Sequence, residues 1–92
     1  MNVQLAKPDP RLSAANNLGF VYYRQDKFAE AARWYENAIK LDRSRAIAYL
    51  NLGDAYARNS ERDKARAAYQ TYLELSPQGP QAVYAKQQID KL

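Results

Sequence analysis

Any chemistry done by this chain must come from carboxylates, lysines, hydroxyls and tyrosines, because its 92 residues include no His and no Cys. The commonest general base and the commonest metal ligand are thereby missing. A structural zinc site is disfavoured on the same ground, since such sites are built from Cys and His. The three glycines are scattered and form no phosphate-cradling loop. Asp26 and Glu30 stand four apart, a spacing that on a helix usually means solvated charge. No catalytic, metal or cofactor residue is expected, and the chain is not expected to be an enzyme. The other polar and aromatic side chains have ordinary uses in recognition, if the fold brings them to one surface. Phe20 and Tyr23 can anchor an apolar side chain. Asn16, Asn17 and Asn51 can both donate to and accept from a peptide backbone. Arg24 and Arg58 could grip a carboxylate in a bidentate pair, or simply meet solvent or Asp54.

Those residues are positioned by a repeat of 34 residues. Aligned at that offset, residues 12–45 and 46–79 agree at Ala14/Ala48, Asn17/Asn51, Leu18/Leu52, Gly19/Gly53, Tyr22/Tyr56, Arg24/Arg58, Ala31/Ala65, Tyr35/Tyr69 and Leu41/Leu75. A fixed period of this length signals stacked supersecondary units. Each unit reads as two helices. In the first, Asp9-Pro10 is a cap and a first-turn proline, and the helix runs to Arg24 or Gln25. Ala15, Leu18, Gly19 and Tyr22 form its packing stripe, while Asn16, Phe20, Tyr23 and Arg24 lie on roughly the opposite face. The second helix covers about Lys27 to Leu41, with Asp26 as its expected cap. Phe28, Ala31, Ala32, Tyr35, Ala38 and Ile39 face inward, and Glu36 faces water in a favourable pairing with Lys40. The third starts near Ser44 and repeats the first. The fourth opens on a capping-box-like Ser60 to Asp63 and runs to Leu75, with Tyr72 and Leu75 inward. Ser76 to Gly79 breaks it. A fifth helix from Pro80 to about Lys91 carries the stripe Ala82, Ala85, Ile89 and Leu92 and closes the stack.

The motif Leu18-Gly19-x-x-Tyr22 and its copy Leu52-Gly53-x-x-Tyr56, followed by Ala31…Tyr35 and Ala65…Tyr69 and by Pro77, resembles the tetratricopeptide repeat. Ala15, Arg43 and Tyr72 depart from the family pattern. The resemblance implies an all-α, right-handed α-solenoid fragment: two antiparallel hairpins, 12–45 and 46–79, and a capping helix over 80–92. It also implies a concave face lined by the first helix of each pair, which in this family usually holds a peptide or partner helix. Carried over position by position, that lining is Asn16, Asn17, Phe20, Tyr23, Arg24, Leu50, Asn51, Asp54 and Arg58, with Tyr84 and Gln88 from the closing helix. Some family members clamp the C-terminal carboxylate of heat-shock chaperones with Lys, Asn and Arg over three repeats. Here the Asn51 position alone matches; Asn16, Phe20, Gln81 and Ala85 occupy the others, so that activity is not expected.

The bulk numbers agree with a small binding module. Fourteen Lys/Arg against ten Asp/Glu give a net charge of +4. The acids are interleaved with the bases, which argues against nucleic acid; strong loss of binding with salt would be its mark. No apolar run approaches the roughly 18 residues that span a bilayer. Residues 1–9 read as an N-terminal arm, in which Val3, Leu5 and Ala6 could close a preceding helix of a longer protein or form a free end. Met1 to Ala6 is too short and polar for a signal peptide. A cytoplasmic location is the default expectation. The expected function is an adaptor surface for a protein or peptide partner, mildly acidic if the two arginines contact it. The rival is self-association through the stack ends or an exchanged closing helix. Tyr72 bears on that rival: it either packs under the closing helix or opens a site for a second copy.

Overall fold

The computed structural model describes residues 9–92, so the expectations for residues 1–8 lie outside it. Among the described residues the chain is all helical: α1 Pro10–Arg24, α2 Phe28–Leu41, α3 Ala46–Arg58, α4 Arg62–Leu75 and α5 Ala82–Lys91. Packing follows chain order. α1 pairs with α2, α3 with α4, α2 meets α3 across the unit boundary, and α5 lies on α4.

Asp9 caps α1 by accepting from the Arg11 backbone N–H at 2.9 Å, with Pro10 in the first turn. The other helix starts differ from the sequence reading. Asp26 and Ser60 do not cap the helices that follow them; both take left-handed backbone, φ 60° and 61°. They terminate the helices that precede them. The Lys27 N–H reaches back to the Tyr22 carbonyl at 2.9 Å, and the Glu61 N–H reaches the Tyr56 carbonyl at 2.9 Å. This closure satisfies carbonyls left over at a helix end and usually recruits glycine. α3 begins after Arg45 without a side-chain cap. Ser44 instead donates, through its N–H and hydroxyl, to Asp42.

The hairpins close on glycine. A Cβ at Gly19 would sit 2.5 Å from Cε1 of Tyr35, and one at Gly53 would sit 2.8 Å from Cδ1 of Tyr69. The tyrosine rings therefore lie directly on the facing backbone, which explains why the repeat keeps both members of each pair. Three clusters make the core. Leu12, Ala15 and Ala38 hold α1 to α2. Ala31, Ala32, Tyr35, Leu52, Ala55 and Ala68 join the two units. Leu50, Ala65, Tyr69, Tyr72 and Ala85 fix α4 and α5 against α3.

Tyr72 packs under the closing helix. It is buried, and its hydroxyl oxygen accepts from the Gln81 N–H at 3.1 Å, tying down the turn into α5. Leu75 is 45% exposed and does not join the core as the stripe suggested, since it falls in the last turn of α4. Glu36 does not pair with Lys40; it accepts a hydrogen bond from the Tyr56 hydroxyl of the next unit. A buried phenol needs an acceptor, and Glu36 is the carboxylate that the boundary offers.

Candidate functional site

The cleft lies between the first helices of the two units. Phe20 and Tyr23 of α1 and Asn51 and Asp54 of α3 form its walls, and Tyr35 of α2 closes it, around a cavity of about 160 Å³. Helical spacing puts Phe20 and Tyr23 on one side of α1, and Asn51 and Asp54 on the facing side of α3. Phe20 is 54% exposed, high for a ring of its size.

Asp54 is the chemical centre. Both the Tyr69 hydroxyl, at 2.5 Å, and the Tyr84 hydroxyl, at 2.7 Å, donate to its Oδ1. Burial pushes the Asp54 carboxyl above its ordinary range, against the two tyrosine hydrogen bonds, which pull it down. The phenols respond in the opposite sense to a carboxylate neighbour. Burial first, and Asp54 second, hold the Tyr69 and Tyr84 hydroxyls well above the ordinary phenol value. Tyr35 is pushed up to about 12 by burial, and Tyr23 is raised by burial as well. All of these phenols are therefore neutral donors at neutral pH. Among the described residues no Lys or Arg nitrogen lies within 4 Å of Asp54.

The two arginines sit on aromatic rings. The Arg24 guanidinium lies 5.6 Å from the Phe20 centroid, and that of Arg58 lies 4.8 Å from the Phe28 centroid. Phe28 also meets Tyr23 edge-on, with centroids 5.2 Å apart. These are ordinary cation–π distances, and the Arg58 head lies on Phe28 rather than on Asp54.

Of the residues expected to line the groove, Phe20, Tyr23, Asn51 and Asp54 meet around one cavity, with Tyr84 bonded to Asp54 and Arg24 over Phe20. Leu50 does not belong with them. It is 5% exposed and packs among Tyr69, Tyr72 and Ala85, because α5 covers that side of α3. Asn16 is partly buried, and both its amide atoms are enclosed without a hydrogen-bond partner among the described residues. It cannot reach a ligand as it stands. Asn17 is exposed and Gln88 partly buried, and neither lines the cavity. The sequence pattern marks Tyr35, Tyr69 and Phe28 as inward-facing alone. Tyr35 and Tyr69 are core and also serve the cleft, while Phe28 is partly buried and carries Tyr23 and Arg58. The available signal was that buried tyrosine hydroxyls need acceptors, and Asp54 stands 15 residues before Tyr69 on the facing helix.

A second concavity, apolar and about 460 Å³, lies at the other end of the first hairpin, lined by Ala14, Ala15, Leu18, Trp34 and Leu41 with Arg11, Asn37 and Lys40 around them. No described element covers it.

The sequence model of the tetratricopeptide repeat matches residues 16–80, most of the chain. The chain belongs to the tetratricopeptide repeat family. Anaphase-promoting complex subunit 6 of Arabidopsis thaliana is 37% identical over 60 residues, which is 65% of this chain and 11% of that protein. The chloroplastic tetratricopeptide repeat domain-containing protein PYG7 of Arabidopsis thaliana is 37% identical over 62 residues, 67% of this chain and 21% of its own length. Uncharacterized protein ycf37 of Porphyra purpurea is 36% identical over 61 residues, 66% of this chain and 35% of its own length. The tetratricopeptide chain thus spans about a third or less of each of these relatives. Among solved structures, the first tetratricopeptide domain of Spaghetti (RPAP3), bound to the HSP90 peptide SRMEEVD, superposes with a TM-score of 0.79 at 30% identity, over 90% of this chain and 67% of that one. The relatives include a chloroplastic protein, so similarity does not assign this chain to the cytoplasm. Among the described residues no helix is long and apolar enough to cross a membrane.

Proposed function

We propose that this tetratricopeptide domain is a protein-interaction module that binds an extended peptide segment across the cleft between α1 and α3. The observation that carries this is the convergence of an exposed aromatic, Phe20, with Tyr23, Asn51 and Asp54 around one cavity. Exposed aromatics beside placed polar groups supply both anchor and register in peptide recognition. The family fold, and a structural relative that holds a peptide, support the same reading. The ligand differs from that relative's. Asp54 and Phe20 line the cleft here, and a carboxylate at the site would be repelled by a carboxylate already inside it.

A displayed random-peptide library panned on the wild-type domain and on Phe20→Ala/Asn51→Ala tests the reading. Enrichment of a shared motif on the wild type and its loss on the variant is expected. Equal enrichment on both, with both chains equally helical, would contradict it.

A second reading rests on the apolar end of the first hairpin. Ala14, Leu18 and Trp34 are more exposed there than Ala48, Leu52 and Ala68, their counterparts in the second hairpin. Self-association through that end would make sedimentation mass rise with concentration, and Leu18→Glu would abolish the rise. A constant monomer mass would remove this reading.

A further inference from the structure

Asp54 presents a difficulty that the peptide-binding reading leaves open. A partly buried carboxylate is costly unless a cation or a full set of hydrogen bonds compensates it. Its Oδ1 takes both tyrosine hydroxyls, from Tyr69 and Tyr84, and Oδ2 takes neither. The two cleft arginines rest on rings rather than on Asp54: Arg24 lies over the outer part of the cleft on Phe20, and Arg58 lies over Phe28 beside the Tyr23 hydroxyl. The cavity against Asp54 is walled by Phe20, Tyr23 and Tyr35, aromatic rings whose faces are electron-rich. An anion with a free oxygen and aromatic walls is the arrangement that selects an organic cation.

We propose that this cavity takes the side-chain cation of a Lys or Arg in the bound segment, with Asp54 as its counter-ion and Tyr23, Tyr35 and Phe20 as its walls. The inference rests on the peptide-binding reading and gives its ligand a chemistry. Size agrees: about 160 Å³ is small beside the roughly 300–1,000 Å³ of a drug-sized pocket, and suits one side chain. Asn51, on the same wall one turn before Asp54, can hold the backbone beside that residue. Arg24 and Arg58 remain at the rim to meet acidic neighbours of the bound cation, which accounts for a mixed cleft in a chain of net positive charge. The burial that raises the Asp54 carboxyl is what a bound cation would offset.

The test uses four small probes titrated into isotopically labelled protein and followed by amide shifts: N-acetyl-lysine N-methylamide, its Nζ-acetylated form, the norleucine analogue and the glutamate analogue. The lysine probe is expected to shift Tyr23, Asn51 and Asp54 and to bind at least about tenfold tighter than the other three, since one unscreened charge pair is worth a factor of that order. Asp54→Asn keeps an oxygen for both tyrosine hydroxyls and is expected to fold and to lose that preference. Phe20→Leu keeps the apolar bulk and is expected to weaken the lysine probe several-fold. Norleucine or acetyl-lysine binding in the cleft as tightly as lysine would overturn the cation pocket and leave the peptide cleft standing. Lysine binding unchanged in Asp54→Asn would overturn it too. No cleft shifts from any probe would overturn the cation pocket, and the peptide cleft itself stands or falls by the library selection.

Discussion

Gly19 lies under Tyr35 and Gly53 lies under Tyr69, the same contact made in two hairpins. One residue earlier the hairpins part: Leu18 is partly exposed, while Leu52 is 7% exposed. Ala14 is exposed and Ala48 fully buried at the matching position. The difference comes from neighbours, not from sequence. α2 covers the face that carries Ala48 and Leu52, and no described element covers the face that carries Ala14 and Leu18. A second divergence is chemical. Phe20 and Asp54 occupy the same register, and because α1 and α3 face one another they bring an aromatic and a carboxylate into one cleft. The repeat thus keeps its internal joints identical and spends its variation on the surfaces between and beside the units.

The largest effect should come from cutting the joint that carries the cleft. Tyr69→Ala removes a fully buried ring and is expected to cost about 3–5 kcal/mol, most of a small domain's stability. Tyr35→Ala should cost less, because no hydroxyl bond of the Tyr69–Asp54 kind is lost with it. Urea denaturation of both variants measures the gap, and equal losses would remove the special standing of the second joint. Next, Leu52→Ala should cost about 2–5 kcal/mol, and Leu18→Ala clearly less. Equal costs would mean that the end face of the first hairpin is covered in solution.

Smaller effects test the turns and the unit boundary. Ser60→Gly should stabilise by up to about 1 kcal/mol, since left-handed backbone costs a non-glycine residue about 1–2 kcal/mol and glycine gives back part of that in chain entropy. Asp26→Gly should gain less, because Asp tolerates that region better. Tyr56→Phe should lose about 1 kcal/mol with its bond to Glu36. The smallest effect is a pH dependence. Burial raises the folded Asp54 carboxyl, so its contribution is fully present below the ordinary value of 3.8 and is lost as pH rises through the raised one. Asp54→Asn should therefore gain on the wild type in thermal stability across that window. A gap that stays constant with pH would contradict the burial argument.

The fold was legible because its joints are written twice. Glycine under tyrosine, alanine where helices cross and a 34-residue period leave little freedom, and the helix boundaries follow from them. The turns are not legible in the same way: Asp26 and Ser60 look like caps, and the backbone closure that makes them helix stops depends on φ, which composition does not encode. Leu50 falls on the groove side by helical spacing, which alone cannot show that α5 covers it. Phe20, Tyr23, Asn51 and Asp54 were legible as groove residues; the tie of Asp54 to Tyr69 and Tyr84 was not, because it joins residues 15 and 30 positions apart.

The central claim is that the cleft between the two hairpins, and not the apolar end of the first, receives the partner. Amide-shift mapping of a library-selected peptide on the labelled domain tests it most directly. The account predicts the largest shifts at Phe20, Tyr23, Asn51 and Asp54. Largest shifts at Ala14, Leu18 and Trp34 would contradict it.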